Sequence, residues 1–451
     1  MVLATPEAIP VRRAIVGWGL VPSHDRTRMF SKKKRAIAAA ALAVAVGLPL
    51  AGNAVAGPHD VPGTAGAKTL TDTPEPARPA FYEPPASIPS TPGTIIRSEP
   101  APLLLDPFDL SSSVVTATRI MYSSTDAHGT PVAVTGTVFV PKTSYVGASQ
   151  RPLISYAPGT QGMGDSCAPS RQMESFFEYE GIGVGRAVAR GYAVGITDFQ
   201  GLGTPGSHTY MAREPQGRAT LDMARAAKNL QGSGLDNKTP IGLMGYSQGG
   251  GAAAAAAELA PSYAPELNIK GSAIGAPPAD LAKVGTNIDG TTYSLFALFA
   301  TLGVATTEHV DPKPFLNAQG QELASKVESA CVFDLFSYAN LDSSKYTTSG
   351  KKLSEMLDEE PFKTAIANQR IGKLKPNAPV QINHAIADDV IPYAVGKQLG
   401  SDWCDKGTRV SFNAGLTPTH VGGFLPHVEK SMLFFEARFS GLNQASSCWR
   451  L

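Results

Sequence analysis

From about residue 130 onward, short apolar and β-branched runs recur along the chain, and between several of them the apolar positions fall at a helical period. The runs Val132–Val140, Leu153–Ala157, Ala193–Thr197, Ile241–Met244, Ile269–Ala276 and Val380–Ala385 have the length of strands, and Arg409–Phe412 reads as the last of the series. Ile182–Arg190, Thr220–Gln231 and Ala252–Ala260 read as helices. Strand and helix in alternation predict βαβ units, hence an α/β fold whose mostly parallel sheet is flanked by helices. The rhythm stops at Leu281 and resumes after Lys375, a stretch too long for an ordinary connection and without a strand-like run. It predicts a helical cap inserted at about 281–375.

The N-terminal segment follows a different pattern. Lys32, Lys33, Lys34 and Arg35 precede an uncharged run from Ala36 to Leu50, and Ala54-Val55-Ala56 offers a small-x-small cleavage site, so residues 1–56 read as a signal peptide for export. The usual proportions of such a signal are met from Met29, which marks residues 1–28 as an over-extended start. An uncleaved anchor is the alternative, but the run is dominated by Ala and Gly, poor in the strongly apolar residues of membrane spans. Residues 57–80, rich in Pro, Gly and Thr, read as a flexible leader, and the folded domain is expected over 81–451.

Charge removes one class of function. The whole chain has 39 basic and 38 acidic residues, so no basic stripe is available to bind nucleic acid. The four cysteines, Cys167, Cys331, Cys404 and Cys448, form no C-x-x-C pair, which argues against zinc or redox chemistry and, in an exported chain, for disulfides. Three pairings are open; the expected one is Cys167 with Cys331 and Cys404 with Cys448, because the latter would close the C-terminal region as a unit.

The most informative motif follows one of the apolar runs. Gly245-Tyr246-Ser247-Gln248-Gly249-Gly250-Gly251, between Ile241–Met244 and six alanines, is strand, G-x-S-x-G, helix. That context turns a common pattern into a nucleophile elbow, in which a strained backbone pushes the Ser247 hydroxyl out over the sheet and the following helix N-terminus faces developing negative charge. A serine nucleophile needs a base and an acid, which follow it here in the order Ser, Asp, His. Asp388 lies in the loop after the run at 380–385, and His420 in the loop after the last strand. Asp389 and the weaker Asp280 compete for the acid, His427 for the base.

These stretches, together with Phe81-Tyr-Glu-Pro-Pro, Pro92-Gly-Thr-Ile-Ile-Arg-Ser, Ser155-Tyr-Ala-Pro-Gly-Thr-Gln-Gly, Cys167-Ala-Pro-Ser, Asp198-Phe-Gln-Gly-Leu-Gly-Thr-Pro-Gly and Ala387-Asp-Asp-Val-Ile-Pro, resemble the secretory lipase family of the α/β-hydrolase fold from Phe81 to Arg450. The resemblance implies an exported hydrolase of lipid esters, acylglycerols among them, that needs no cofactor or metal and uses Ser247, Asp388 and His420 as its triad. Two stretches depart from the family pattern: Pro158-Gly159-Thr160 stands where His-Gly-Thr is common, and Asn383-His384-Ala385 replaces a Gly-containing approach to the acid.

An oxyanion hole is expected from the N–H of Gln248 and a donor in the Gly159–Gly162 loop, with Gln161 ahead of Thr160 because either side chain could add a donor. Substrate contacts are assigned to Tyr246, beside the nucleophile, and to Phe296 and Phe299, on the nearly all-apolar stretch Thr292–Ala305, which is either buried core or the wall of an acyl tunnel. The expected partners are a lipid ester and a lipid–water interface, with the chain acting as a monomer. An acyltransferase, a short-chain esterase or a peptidase on the same triad, and a non-catalytic binding module on the same fold, remain open alternatives.

Overall fold

The computed structural model describes residues 77–102, 113–147, 150–174 and 178–451. The signal expected at 1–56, and the leader expected at 57–80 up to residue 76, lie outside the described residues. The strands are β1 (Ile95–Pro100), β2 (Val115–Thr125), β3 (Pro131–Pro141), β4 (Leu153–Ala157), β5 (Ala193–Thr197), β6 (Ile241–Tyr246), β7 (Ile269–Gly275), β8 (Val380–Ala387) and β9 (Val410–Pro418). They form one sheet in the order β1-β2-β3-β5-β4-β6-β7-β8-β9. Pairing is antiparallel from β1 through β3 to β5 and parallel from β5 through β9.

Helices are α1 (Pro169–Gln172), α2 (Gly181–Val188), α3 (Arg213–Asn229), α4 (Gln248–Tyr263), α5 (Leu281–Ile288), α6 (Ser294–Thr307), α7 (Ala318–Val327), α8 (Leu353–Met356), α9 (Phe362–Asn368), α10 (Tyr393–Asp405) and α11 (Phe424–Phe439). The central strands β4, β5 and β6 are buried at every position, as continuous apolar runs must be when helices cover both faces. Two cores result. One packs the alanines of α4 and the buried face of α3 on one side of the sheet; the other packs Met432, Phe434, Phe435 and Phe439 of α11 with Val184 and Ala187 of α2.

Strands β1 and β2 and helices α1, α10 and α11 are absent from the sequence expectation, and α3 differs from it in where it starts. Strand β2 is absent from the expected set because its buried positions include Ser123 and Ser124, whose hydroxyls find Pro89 O and Asp222 as partners. Polar residues satisfied inside the protein break the apolar pattern. Helix α3 starts at Arg213, well before Thr220, because Arg213, Pro215 and Gln216 of its opening turn are buried: the Arg213 guanidinium meets Glu258 at 2.8 Å. Glu258, fully buried on α4, also accepts the Trp403 indole N–H at 2.9 Å and Gly372 N–H at 2.7 Å, so one carboxylate joins α3, α4, α10 and the chain entering β8.

Between β7 and β8 lie α5 to α9, with short 3₁₀ turns, and no strand of the sheet. This region has its own apolar core of Leu295, Phe299, Leu302, Val327 and Ala330, sealed against Met163 and Tyr210 of the sheet domain. The disulfides join Cys167 to Cys331 and Cys404 to Cys448, the expected pairing. Closure of 44 residues by the second bridge restricts the unfolded chain enough to contribute about 2–4 kcal/mol. Paired Cys404→Ser and Cys448→Ser substitutions are therefore expected to lower the unfolding free energy by that amount under non-reducing conditions, read by chemical denaturation.

Candidate active site

Ser247 occupies the single position between β6 and α4, with φ 58° and ψ −121°, a strained conformation for a residue with a side chain. The turn is tight because three backbones converge there. A Cβ on Gly245 would stand 2.2 Å from Gly249 O, and one on Gly249 would stand 2.0 Å from Ala157 O. Only glycine fits either position. The Ser247 N–H donates to Gly275 O at 3.0 Å, which fixes the elbow to the neighbouring strand β7.

The other two triad candidates arrive from the ends of β8 and β9. His420 Nε2 lies 2.8 Å from Ser247 Oγ, and His420 Nδ1 lies 2.8 Å from Asp388 Oδ2. With Nδ1–H donating to the carboxylate, Nε2 is free to accept the serine proton. The Asp388 side chain is shut off from solvent and its Oδ1 accepts N–H groups of Val390 at 3.0 Å and Ile391 at 2.8 Å. Burial pushes the Asp388 carboxyl up, but contacts from His384 and His420 and the Ile391 N–H outweigh it and hold the group below the usual carboxylate range. An ionised Asp388 suits a group that stabilises imidazolium.

The competitors have other duties. Asp389 accepts the His420 backbone N–H at 2.7 Å and the Tyr293 hydroxyl at 2.7 Å, so it pins the histidine loop to the cap without touching the imidazole. Asp280 caps α5 and pairs with Arg370. His427 is buried on α11, where Asn383 Nδ2 meets its Nδ1 at 3.0 Å.

The oxyanion and substrate expectations need correction in detail. Gln248 opens α4, so no carbonyl of that helix can take its N–H, but its side chain turns away and donates to His208 Nε2 at 3.0 Å. Gln161 donates its side-chain amide to Glu178 at 3.1 Å, and the Thr160 hydroxyl pairs with Tyr210 at 2.7 Å. Both side chains have partners inside the protein, and the backbone N–H groups of Thr160 and Gln161 remain candidate oxyanion donors. The Tyr246 side chain is sandwiched among His420, Phe424 and His427, its hydroxyl donates to His420 O at 2.6 Å, and it does not line the cavity that reaches Ser247. Phe299 is fully buried in the cap core against Tyr210. Phe296 does line a narrow cavity of about 50 Å³ that reaches Ser247, with Leu281, Val284, Ala297, Leu357 and Ile391 among its other walls.

Several supporting groups escape sequence reasoning because their roles depend on contacts across the fold. His384 sets Nε2 3.0 Å from Ile391 O and 3.4 Å from Asp388 Oδ2, a second imidazole beside the triad carboxylate. A Cβ on Gly396 would lie 2.1 Å from its Nδ1, so that glycine makes room for the ring. Glu178, Tyr179 and Glu180 underlie the Gly159–Gln161 loop; two acids so close in sequence, among aromatics, were the available signal. Among the described residues no group of His, Cys, Asp and Glu is arranged to hold a metal ion.

Parallel sheet, elbow and the Ser247–His420–Asp388 line define the class, an α/β-hydrolase. The family model for secretory lipases matches residues 169–447, and the chain belongs to that family. It is 31% identical over 376 residues to a probable inactive lipase of Mycobacterium tuberculosis, an alignment covering 80% of this chain and 82% of the relative. It is 28% identical over 401 residues to lipase 10 of Candida albicans, covering 83% of each. Among solved structures, lipase A of Candida antarctica in its closed state superposes with a TM-score of 0.73 at 24% identity, over 84% of this chain and 89% of that one, a likeness of fold.

Burial depresses two imidazoles near the site, His208 to about 4 and His427 to about 3. An unfolded histidine titrates near 6.5. As pH falls below that value the unfolded chain takes up protons that the native state refuses, so these two residues stabilise the fold above about 6.5 and progressively less on acidification. The expected result is a melting temperature that declines from pH 7 to pH 5. In the same range the imidazole ¹⁵N shifts of His208 and His427 should stay flat; a midpoint near 6.5 at either would contradict the assignment.

Proposed function

We propose that this chain is an exported carboxylic-ester hydrolase of lipase type, acting on lipid esters such as acylglycerols through an acyl-enzyme intermediate. The observation that carries this reading is the unbroken hydrogen-bonded line from Asp388 through His420 to Ser247, with 2.8 Å at each link to the imidazole. Ser247 Oγ attacks the ester carbonyl while His420 Nε2 takes its proton, and Asp388 stabilises the imidazolium. The negative charge that forms on the carbonyl oxygen meets the N–H groups of Gln248 and of Thr160 or Gln161 at the positive end of α4. Collapse expels the alcohol, which receives the proton from His420. Water, deprotonated by the same imidazole, then releases the fatty acid from Ser247.

An apolar acyl chain is the substrate portion that the cavity behind Ser247 suits, since Phe296, Leu281, Val284 and Ile391 offer it no polar partner. The exposed apolar residues Ile386, Leu416, Val421 and Leu425, which stand beside Asp388 or His420 in the chain, suit contact with a lipid–water interface. Two disulfides and the export signal read from the sequence support an oxidising destination outside the cytoplasm. The relative from M. tuberculosis is described as inactive; in this chain all three triad groups are present and in line, which favours turnover.

Ser247→Ala is expected to lower kcat by about a million-fold and to abolish labelling by a fluorophosphonate probe. Asp388→Asn leaves His420 in the wrong tautomer and should cost about ten-thousand-fold, Asp389→Asn far less. Hydrolysis of p-nitrophenyl esters and clearing of tributyrin emulsions by the purified protein are the assays. Probe labelling that survives in Ser247→Ala, or a protein that binds esters without turning them over, would overturn the reading.

A further inference from the structure

Three successive residues of the loop after β4 are each held by one of three successive residues entering α2. Gly159 N–H donates to Glu180 Oε1 at 2.6 Å, Thr160 O accepts the Tyr179 hydroxyl at 3.1 Å, and the Gln161 side chain donates to Glu178 Oε1 at 3.1 Å. Glu180, fully buried, takes the Tyr156 hydroxyl on its second oxygen at 2.5 Å. The approach depends on a missing side chain, because a Cβ on Gly159 would lie 2.5 Å from Tyr179 Oη and 2.8 Å from Glu180 Oε1. On the far side of the loop, Val332 N–H donates to Gln161 O at 2.7 Å and Met163 N–H to Ala330 O at 2.9 Å.

Peptide geometry turns these contacts into an aim. The Thr160 carbonyl and the Gln161 N–H belong to one planar trans peptide and point in opposite directions. A hydroxyl that captures the Thr160 oxygen therefore sets where the Gln161 N–H points. The peptide that follows is fixed by Val332 through Gln161 O, and Glu180 holds the Pro158–Gly159 peptide two back, which leaves the Thr160–Gln161 plane for Tyr179 to settle. We propose that Tyr179 is a positioning residue of the oxyanion hole, directing the Gln161 N–H toward the ester oxygen by holding the other end of its peptide. The inference rests on the hydrolase reading above and deepens it by choosing Gln161 N–H, through Tyr179, as the second oxyanion donor. Burial raises the Tyr179 phenol well above its ordinary value, and the charges of Glu180 and Glu178 add to this, so the hydroxyl remains a donor at any working pH.

Tyr179→Phe tests the idea with little risk to the fold, because the ring keeps its edge-on contact with Phe424 at 5.9 Å. The expected result is a fall in kcat of about tenfold, short of the 10²–10³ that follows deletion of a donor itself, with KM unchanged within about twofold. Affinity for an alkylboronic acid, whose serine adduct carries the tetrahedral oxyanion, should fall by a similar factor. A crystal structure of Tyr179→Phe should show the Thr160–Gln161 peptide rotated from its wild-type plane. Unchanged kcat and boronate affinity, or an unrotated peptide, would overturn the proposal; so would a lowered melting temperature with kcat and KM changing together, the mark of a merely structural residue. If wild type shows neither ester turnover nor Ser247 labelling, the hydrolase reading fails instead, and the peptide plane in the two crystal structures still decides whether Tyr179 sets it.

Discussion

The structure turns on a contact that leaves no room for a side chain: the backbone of Gly249 against the carbonyl of Ala157, where a Cβ would come within 2.0 Å. Ala157 ends β4 and Gly249 lies in the first turn of α4, so this approach brings the loop after β4 beside the elbow after β6. The proposed oxyanion donors and the proposed nucleophile then share one corner of the sheet. Strand order supplies the remainder, since β4, β6, β7, β8 and β9 are consecutive neighbours in parallel. Loops leaving the same edge carry Gly159–Gln161, Ser247, Asp388 and His420 into reach of one another, as open parallel sheets do at the carboxyl ends of their strands.

Around that corner the buried polar groups divide by charge. Asp388 is held ionised by imidazoles and backbone N–H groups, whereas burial raises Glu180 to about 7, against the pull of the Tyr156 hydroxyl and the Gly159 N–H. His208 and His427 are kept neutral by burial, which lets His208 accept from Gln248 through Nε2 while Nδ1 faces Gln200 O at 3.0 Å. Each of these groups holds a backbone segment or side chain close to the proposed triad, so the site is built from polar residues whose partners lie inside the protein.

The central strands were legible because their signal is local. Leu153–Ala157 and Ala193–Thr197 are short runs of mostly apolar or β-branched residues whose ends coincide with the strand ends, and the elbow announces itself by glycines that only a crowded turn demands. Asp388 and His420 could be placed by order along the chain, since the topology fixes which loops share an edge. What stayed hidden are roles assigned by distant partners. Nothing local distinguishes a tyrosine that props a histidine loop, as Tyr246 does, from one that touches substrate, or tells that Phe299 seals the cap core while Phe296, one turn earlier, faces the cavity. Polar residues satisfied at long range, such as Arg213 by Glu258 or Ser124 by Asp222, likewise disguised a helix start and a whole strand.

The bridge between Cys167 and Cys331 bears on how far the cap can be treated as a separable part. Cys331 lies in the cap, yet its neighbours Ala330 and Val332 hydrogen-bond the backbone of Gln161 and Met163, and Gly162 pairs with Cys331 in an isolated antiparallel bridge. A short piece of the insert thus serves as a strand partner for the sheet domain's own loop. A chimaera that exchanged the cap wholesale for that of a relative, with the aim of altering the acyl group accepted, would also replace the splint along one side of that loop. The usable boundary for such an exchange runs within the insert, leaving residues 330–332 with the sheet.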